Sequence, residues 1–290
     1  MLFYYNEIIM KTRKIKTIMK GNMVLEGAGV KLKRLFGFGD TGLTDPFLLL
    51  DNFGSKNPED YIAGFPWHPH RGIETITYMI EGELKHSDSL GNGGTIRSGQ
   101  VQWMTAGSGI VHQEMPLPYA GTMRGFQLWA NLPKKEKMTR PRYRDIKAQD
   151  MVEFEGKGYR IKIICGEYGG VQGPAEDIVI RPWFFDVTVE PGAAFDLNVR
   201  PEDNVLCCVF EGSGYFDEEK TAEIEPGQVV VLEDGEGVAC AASKDGLRFM
   251  LMAGKPLKEP VAWRGPIVMS TEAELKTAFD DYRRGTFIKK

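Results

Sequence analysis

The four histidines of this 290-residue sequence all lie between residues 68 and 112. His68 and His70 are two residues apart, and His112 and Glu114 have the same spacing. In a β-strand, residues i and i+2 point to the same face, so two neighbouring strands could bring these side chains to one point. Histidine is the commonest metal ligand among side chains. The spacing therefore predicts a metal site of three imidazoles and one carboxylate.

The segments around these residues have the composition of strands and turns. A single histidine is more often an ordinary core or surface residue, so the two matched pairs are what favour a ligand role. Residues 73–78 are rich in β-branched side chains, and glycines precede Ile110 and Val111. His86 and Asp88 form a further pair of this kind beside a predicted hairpin tip, but we do not assign His86 to the metal.

The donor set of this predicted site limits its chemistry. Three neutral imidazoles and one carboxylate suit a divalent first-row metal such as Fe, Mn, Co, Ni, Cu or Zn. Four protein ligands leave two positions of an octahedral shell for substrate or dioxygen, as a catalytic site requires. The cysteines, which match no zinc pattern, lie in the second half of the chain. Cys207 and Cys208 stand in an apolar run, which is typical of buried thiols in a reducing compartment.

Composition excludes several other classes of function. A net charge of -4 and a pI near 5.7 do not indicate direct nucleic-acid binding. No stretch approaches the ~20 apolar residues of a membrane span, and the N-terminus does not resemble a secretory signal. At this length the chain is expected to form two domains.

Short strands between glycine-rich turns predict an all-β barrel or sandwich architecture. A shift to Lys, Arg, Pro and Asp after Pro133 marks a boundary. We predict a loose extension over residues 1–13, a first unit over 14–133, a linker over 134–150 and a second unit over 151–290. Ser270 or Thr271 is a plausible N-cap for a helix of about a dozen residues within that second unit. This helix is expected to pack across a barrel or onto the other unit.

The two units have the same pattern of turns. Glu81-Gly82, Gly99-Gln100 and a Gly-x-Gly at residues 107–109 recur in the second half as Glu211-Gly212, Gly227-Gln228 and a Gly-x-Gly at 235–237. This predicts two copies of one fold. Counting from these turns, the four candidate ligands have as counterparts Asn198, Arg200, Cys240 and Ala242. The second copy therefore lacks the predicted metal site.

The motifs HPHRGIET, EGELKHSDSLGNGG and GQVQWMTAGSGIVHQEMP, with the tail EPVAWRGPIVMSTEAEL, resemble the pirin family over about residues 14–287. The resemblance implies a bicupin, with two antiparallel β-barrels face to face and a metal, usually iron, in the N-terminal barrel. It implies His68, His70, His112 and Glu114 as ligands, and a cytoplasmic or nuclear location, of which we predict the cytoplasm. The wider cupin pattern instead offers Glu74 as the carboxylate ligand; the intact H-x-E motif favours Glu114.

Several pirins have quercetin 2,3-dioxygenase activity, so the resemblance implies a metal-dependent dioxygenase acting on flavonol-like aromatic compounds. Glu114 would then act as general base on the 3-hydroxyl. Phe53, Trp103 and Gln127 flank the ligand strands and could line the pocket, although core packing is an alternative for both aromatic residues.

A non-catalytic redox or metal sensor that binds a partner protein is the main alternative function, because the same ligands would serve both functions. A sugar isomerase or epimerase has only the barrel fold in its favour. A pocket of ~300 Å³ or more would favour the enzyme over the sensor.

Overall fold

The computed structural model describes residues 11–289. Its first half contains strands β1 (Ile15–Met19), β2 (Asn22–Glu26), β3 (Val30–Phe36), β4 (Phe47–Ser55), β5 (Phe65–His70), β6 (Ile73–Glu81), β7 (Glu83–Asp88), β8 (Gly93–Arg97), β9 (Val101–Thr105), β10 (Ile110–Pro116), β11 (Met123–Asn131) and β12 (Arg142–Ile146). Helix α1 is a single turn (Thr41–Thr44), and 3-10 turns cover Phe38–Asp40, Pro58–Asp60 and Lys134–Glu136.

The second half adds a 3-10 turn (Ala148–Asp150) and strands β13 (Val152–Gly156), β14 (Tyr159–Cys165), β15 (Glu167–Tyr168), β16 (Val171–Gln172), β17 (Trp183–Val189), β18 (Ala194–Asn198), β19 (Asn204–Tyr215), β20 (Gln228–Leu232), β21 (Gly237–Gly254), β22 (Ala262–Arg264) and β23 (Ile267–Met269). Helix α2 (Glu272–Arg283) follows. The all-β prediction is confirmed. Within residues 11–289, neither helix has the length and apolar character needed to cross a membrane.

The strands form two units of antiparallel sheet. The first unit has a seven-stranded sheet in the order β12-β9-β6-β11-β4-β3-β2 and a four-stranded sheet in the order β5-β10-β7-β8. The second unit has an eight-stranded sheet in the order β1-β20-β19-β21-β17-β14-β13, with β18 also paired to β21. The short pairs β15-β16 and β22-β23 stand apart from these sheets.

The two units pack face to face through an apolar interface. Alternate residues of β6, such as Ile76 and Tyr78, point to the second unit because strand side chains alternate between faces. They meet Phe184, Leu206 and Met252 of the second sheet in one buried cluster. Burial of this shared face, at about 25 cal/mol per Å² of apolar surface, holds the units together.

The N-terminal segment belongs to the second unit, which corrects two predicted boundaries. Strand β1, which we assigned to the first unit, pairs with β20, and its apolar residues Ile15 and Ile18 pack on the second core. Residues 1–10 of the predicted loose extension lie outside the described part, but Arg13 is buried. Its guanidinium donates to the carbonyl oxygens of Asp203 and Glu233 at 2.8 and 3.2 Å.

The predicted linker and the C-terminal tail both contribute to the first unit. Within residues 134–150, β12 pairs with β9 at the edge of the seven-stranded sheet. Helix α2 begins where the sequence predicts, with Thr271 as N-cap and Glu274 closing a capping box. Its buried face, Leu275 and Ala278, joins a cluster with β22, β23 and Val111 of β10. The helix therefore packs onto the other unit, one of the two predicted placements.

Candidate metal centre

The two predicted pairs lie on adjacent strands of the four-stranded sheet. In the antiparallel ladder between β5 and β10, His112 stands directly opposite His68, and Ile110 stands opposite His70. The register shifts between His112 and Glu114, so that Glu114 pairs with Phe65. Such a bulge changes the direction in which a side chain points and is common beside functional sites.

The three imidazoles converge through ring nitrogens, which are the Nε2 atoms in His68 and His70. One nitrogen from each of His68, His70 and His112 lies within 4.8 Å of the other two, and the Nε2 atoms of His68 and His70 are 3.1 Å apart. The Nδ1 atoms of these two residues face the carbonyl oxygens of Pro66 and Pro266, at 2.8 and 2.9 Å. Carbonyls only accept hydrogen bonds, so Nδ1 of each ring carries the proton and Nε2 keeps its lone pair.

This arrangement fits a metal cation. The Nε2 atom of His112 is buried and has no hydrogen-bond partner among residues 11–289. Burial lowers the pKa of His68 and His112 and lowers the pKa of His70 to about 3, so the rings are neutral near pH 7. Lone pairs that face one another in a buried site repel, and a divalent ion between them removes that repulsion. Nδ1–H bonds to carbonyls are the usual support for histidine ligands.

Glu114 lies beside this cluster but not within it. Its Oε1 atom accepts a hydrogen bond from the hydroxyl of Thr77 at 3.0 Å, and the same hydroxyl is 2.6 Å from Oε1 of Gln127. Burial raises the pKa of Glu114 to about 7, against the opposing effect of the Thr77 hydrogen bond. The carboxylate lines the same cavity as His68 and His70, where it can ligate the ion or exchange a proton.

Glu74 faces away from the site. The strand breaks at Gly72, whose φ of 80° is left-handed, so the i, i+2 parity from His70 to Glu74 is lost. Glu74 instead lies on the face of β6 that carries Ile76 and Tyr78 toward the second unit. Its Oε1 accepts from the hydroxyl of Thr105, on the neighbouring strand β9, at 2.7 Å. Burial raises its pKa, opposed by the Thr105 hydrogen bond and by the charge of Arg142.

His86 contacts the Nδ1 side of the His112 ring. It is fully buried, and its Nδ1 atom is 3.5 Å from Nδ1 of His112. The ring stacks on Tyr143 with centroids 4.8 Å apart, and its Nε2 atom is 3.6 Å from the carboxylate of Asp88. His86 therefore orients His112 rather than joining the three converging nitrogens. Its spacing with Asp88 was visible in the sequence, but its contact with Tyr143 was not.

A largely apolar cavity of about 700 Å³ opens above the imidazoles. Phe53 and Gln127 line it, together with Trp129 and Trp263. Trp103 does not, and this part of the predicted pocket is corrected. It is fully buried in the interface between the units because its strand presents it to the face opposite the cavity.

The second unit fills the equivalent position with apolar side chains. Strand β18 pairs with β21 as β5 pairs with β10, and Phe195 stands opposite Cys240 where His68 stands opposite His112. The ladder therefore makes Phe195 and Leu197 the counterparts of the first histidine pair. The counterparts predicted from the turn spacing, Asn198 and Arg200, are therefore wrong for the first pair. The connections between the strands differ in length in the two units, so equal spacing from a turn does not give equivalent positions. Cys240 and Ala242 are the counterparts of His112 and Glu114, and all four side chains are buried.

Comparison with known proteins identifies the family. The Pirin family model matches residues 29–130, and the model of the pirin C-terminal cupin domain matches residues 184–288. A pirin-like protein of Caulobacter vibrioides is 42% identical over 96% of this chain and 100% of that protein. A pirin-like protein of Arabidopsis thaliana is 41% identical, over 90% of this chain and 81% of that protein.

A solved structure agrees with these matches. The crystal structure of quercetin 2,3-dioxygenase from Acinetobacter baumannii superposes with a TM-score of 0.87 at 35% identity, and the match covers 95% of this chain and 98% of that chain. Together with the match to the pirin cupin domain, the superposition confirms the predicted bicupin fold. The chain belongs to the pirin family.

Proposed function

We propose that this chain is a metal-dependent dioxygenase acting on flavonol-like compounds such as quercetin. The proposed ligands of its single divalent metal, which we take to be iron, are His68, His70, His112 and Glu114. The observation that carries the proposal is the convergence of three imidazole nitrogens beside a cavity of about 700 Å³ that His68 and His70 line. The 35% identity to a quercetin 2,3-dioxygenase over 95% of this chain supports the choice of reaction.

Each residue of the site has a proposed task. Bound among the imidazoles, a divalent transition metal supplies Lewis-acid and redox chemistry to substrate oxygens. The carbonyls of Pro66 and Pro266 hold His68 and His70 with Nε2 toward the cavity. Apolar walls, including Phe53 and Trp129, exclude water from the substrate rings.

Glu114 is the proposed general base. Burial raises the pKa of its carboxyl group to about 7, and near that pH a carboxylate can both accept and release a proton. It would take the proton of the substrate's 3-hydroxyl, which makes the flavonol a better electron donor toward dioxygen. Thr77 would hold the carboxylate in place through its hydroxyl. Oxygenation then opens the central ring with loss of carbon monoxide.

The shape of the site favours an enzyme over a sensor. A volume of about 700 Å³ accommodates a flavonol-sized molecule, whereas a sensor needs only the ion and a surface for its partner. A protein partner, a cytoplasmic location and the absence of direct nucleic-acid binding stay predictions.

The test combines metal content with turnover. We expect close to one transition-metal ion per chain in the purified protein and quercetin consumption that requires air. Glu114→Gln should retain part of the metal and lower kcat by about 100-fold or more, as expected for loss of a general base. Wild-type turnover in Glu114→Gln would refute its assigned role.

Two further variants serve as controls. His70→Ala should lose both metal and turnover because it removes one of the three converging nitrogens. Glu74→Gln makes the same chemical change as Glu114→Gln on the face of β6 that packs on the second unit, away from the cavity, and it should keep wild-type kcat. Bound metal without turnover of any flavonol would exclude the dioxygenase and favour the sensor.

A further inference from the structure

A row of polar side chains crosses the inner face of the seven-stranded sheet. Thr77 pairs with Gln127, Gln127 with Asp51, and Asp51 with Arg34, so the four residues form one rung across β6, β11, β4 and β3. Strands lie about 4.8 Å apart, so the rung is about 14 Å long. Gln127, Asp51 and Arg34 all line the cavity.

The rung connects the proposed catalytic carboxylate with the remote wall of the cavity. At one end, the Thr77 hydroxyl contacts Glu114 at 3.0 Å. At the other, Arg34 donates from Nε and Nη2 to both oxygens of Asp51, at 2.9 and 2.8 Å, and from Nη1 to Glu26 at 2.8 Å. The cavity walls beside the rung are apolar and include Leu32, Leu49, Phe53 and Trp129.

The remote end of the rung has unused hydrogen-bonding capacity. In the part of the chain that the structure describes, each carboxylate oxygen of Asp51 accepts one side-chain hydrogen bond, from Arg34, and keeps a further lone pair. Asp51 is itself only 5% exposed. A buried charged group with a free acceptor facing an apolar cavity is costly unless a ligand or water occupies it.

The charge at this end selects the kind of ligand group. One guanidinium and two carboxylates, Arg34, Asp51 and Glu26, sum to a charge of -1 when ionised. A carboxylate or phosphate on a substrate would be repelled here, whereas a phenolic hydroxyl could donate to Asp51. The arrangement therefore favours neutral, hydroxylated aromatic compounds over acidic ones.

We propose that Asp51, positioned by Arg34, is a specificity residue that binds a hydroxyl on an outer ring of the substrate. This inference rests on the proposed flavonol dioxygenase function and narrows its substrate class. The 3-hydroxyl and 4-carbonyl of the central ring would lie at the histidine end of the cavity. The Asp51 end would then bind hydroxyl groups on the outer rings of the flavonol.

The test compares quercetin with 3-hydroxyflavone, which keeps the chelating oxygens and lacks the outer-ring hydroxyls. In the wild type, kcat/KM should favour quercetin. In Asp51→Asn the ratio of the two kcat/KM values should fall about tenfold or more, the loss expected for a hydrogen bond to a charged acceptor. The value for 3-hydroxyflavone itself should stay within a factor of about two, because that substrate makes no such bond.

A matched control makes the same substitution outside the cavity. Asp60 pairs with Lys31 at 2.7 Å on the surface and does not line the cavity. Asp60→Asn should therefore keep the wild-type ratio. If Asp51→Asn does not fold, the double variant R34M/D51L replaces the pair by apolar side chains of similar size and should show the same loss of selectivity.

Anaerobic binding separates this inference from the proposed function. The Kd of the metal-loaded protein for each compound, measured by fluorescence quenching, should show the same dependence on Asp51 as kcat/KM. Turnover with an unchanged ratio in Asp51→Asn would overturn the specificity inference and leave the dioxygenase intact. An Asp51-dependent preference in binding without turnover would support the inference and exclude the dioxygenase.

Discussion

The two glutamates considered as metal ligands, Glu114 and Glu74, lie in different environments because their side chains point from different strand faces. Glu114 points into the cavity beside the imidazoles, and Glu74 points into the interface between the units. The direction of Glu74 depends on the turn at Gly72, which adopts a left-handed φ of 80° and lies against the carbonyl oxygen of Val268. A Cβ at this position would collide with that oxygen. The turn therefore requires glycine, and at this turn the strand alternation that would bring Glu74 to the metal site is lost.

Glu74→Gln should make stability less sensitive to pH. Burial raises the pKa of Glu74 in the native state, so the native state binds more protons than the unfolded state above the unfolded pKa of ~4.3. The free energy of unfolding of the wild type therefore falls as pH rises from the unfolded pKa toward the raised native pKa of Glu74. Glu74→Gln removes this pH-dependent loss because glutamine does not titrate. Denaturant unfolding at pH 4 and pH 8 should show the variant gaining stability relative to the wild type at the higher pH. An equal difference at both pH values would contradict this account.

The tail from β22 to α2 supports the strand that carries the first histidine pair. The carbonyl of Pro266 accepts from His70, and Ile267 forms a bridge with Arg71. Arg71 is 2% exposed, and its guanidinium donates to the carbonyls of Ser108 and Phe287 and to the carboxylate of Asp281. The tail therefore holds the β5–β6 turn from outside the sheet.

Asp281→Asn should destabilise the protein by about 2 kcal/mol at pH 7, because the buried guanidinium of Arg71 loses its charged acceptor. Hydrogen bonds from Lys289 and Arg71 hold the pKa of Asp281 near 2. This contribution is full above the unfolded pKa of ~3.9 and is lost as pH falls through the folded value of about 2. Thermal or denaturant unfolding should show the wild type and the variant converging over that range.

Asp280→Asn is the matched control for this prediction. Asp280 precedes Asp281 on α2 and pairs with Arg283 at the surface. Surface pairs contribute about 0–1 kcal/mol, so this change should have a smaller effect. Equal effects of the two substitutions would show that the contact with Arg71 does not stabilise the tail.

Each of the two units is completed by a segment from the opposite end of the chain. Strand β1 completes the second sheet, and the C-terminal tail packs on the first unit. A polar cluster also crosses the interface: the Tyr78 hydroxyl and the guanidinium of Arg248 both donate to Asp186, each at 2.7 Å. Arg124 of the first sheet pairs with Glu211 of the second at 2.9 Å. These links predict that the two units unfold together.

Asp186→Asn should lower the stability of the whole chain by about 3 kcal/mol, because it leaves the half-buried guanidinium of Arg248 without its two-oxygen partner. Denaturant unfolding followed by circular dichroism and by tryptophan fluorescence should give one coincident transition, shifted to lower denaturant. Asp196→Asn, at an exposed position of β18, should leave the midpoint nearly unchanged. Separate transitions for the two probes in the variant would refute the coupling of the units.

Local patterns were sufficient to predict several features of this chain. The all-β class, the repeated unit and helix α2 with its Thr271 cap all follow from the spacing of apolar residues, turn glycines and capping residues. Each depends on residues close in sequence. The pairs that begin at His68 and His112 could be recognised for the same reason, since a two-residue spacing fixes a shared strand face.

Contacts between distant segments were decided only by the tertiary structure. No local signal indicates that β1 joins the second sheet, that Trp103 faces the interface, or that Asp51 and Arg34 continue a rung from Gln127. A strand's partners and the face it buries depend on every strand packed against it. Residue types and their spacing therefore indicate which side chains could bind a metal, whereas the packing of distant strands decides what surrounds those side chains.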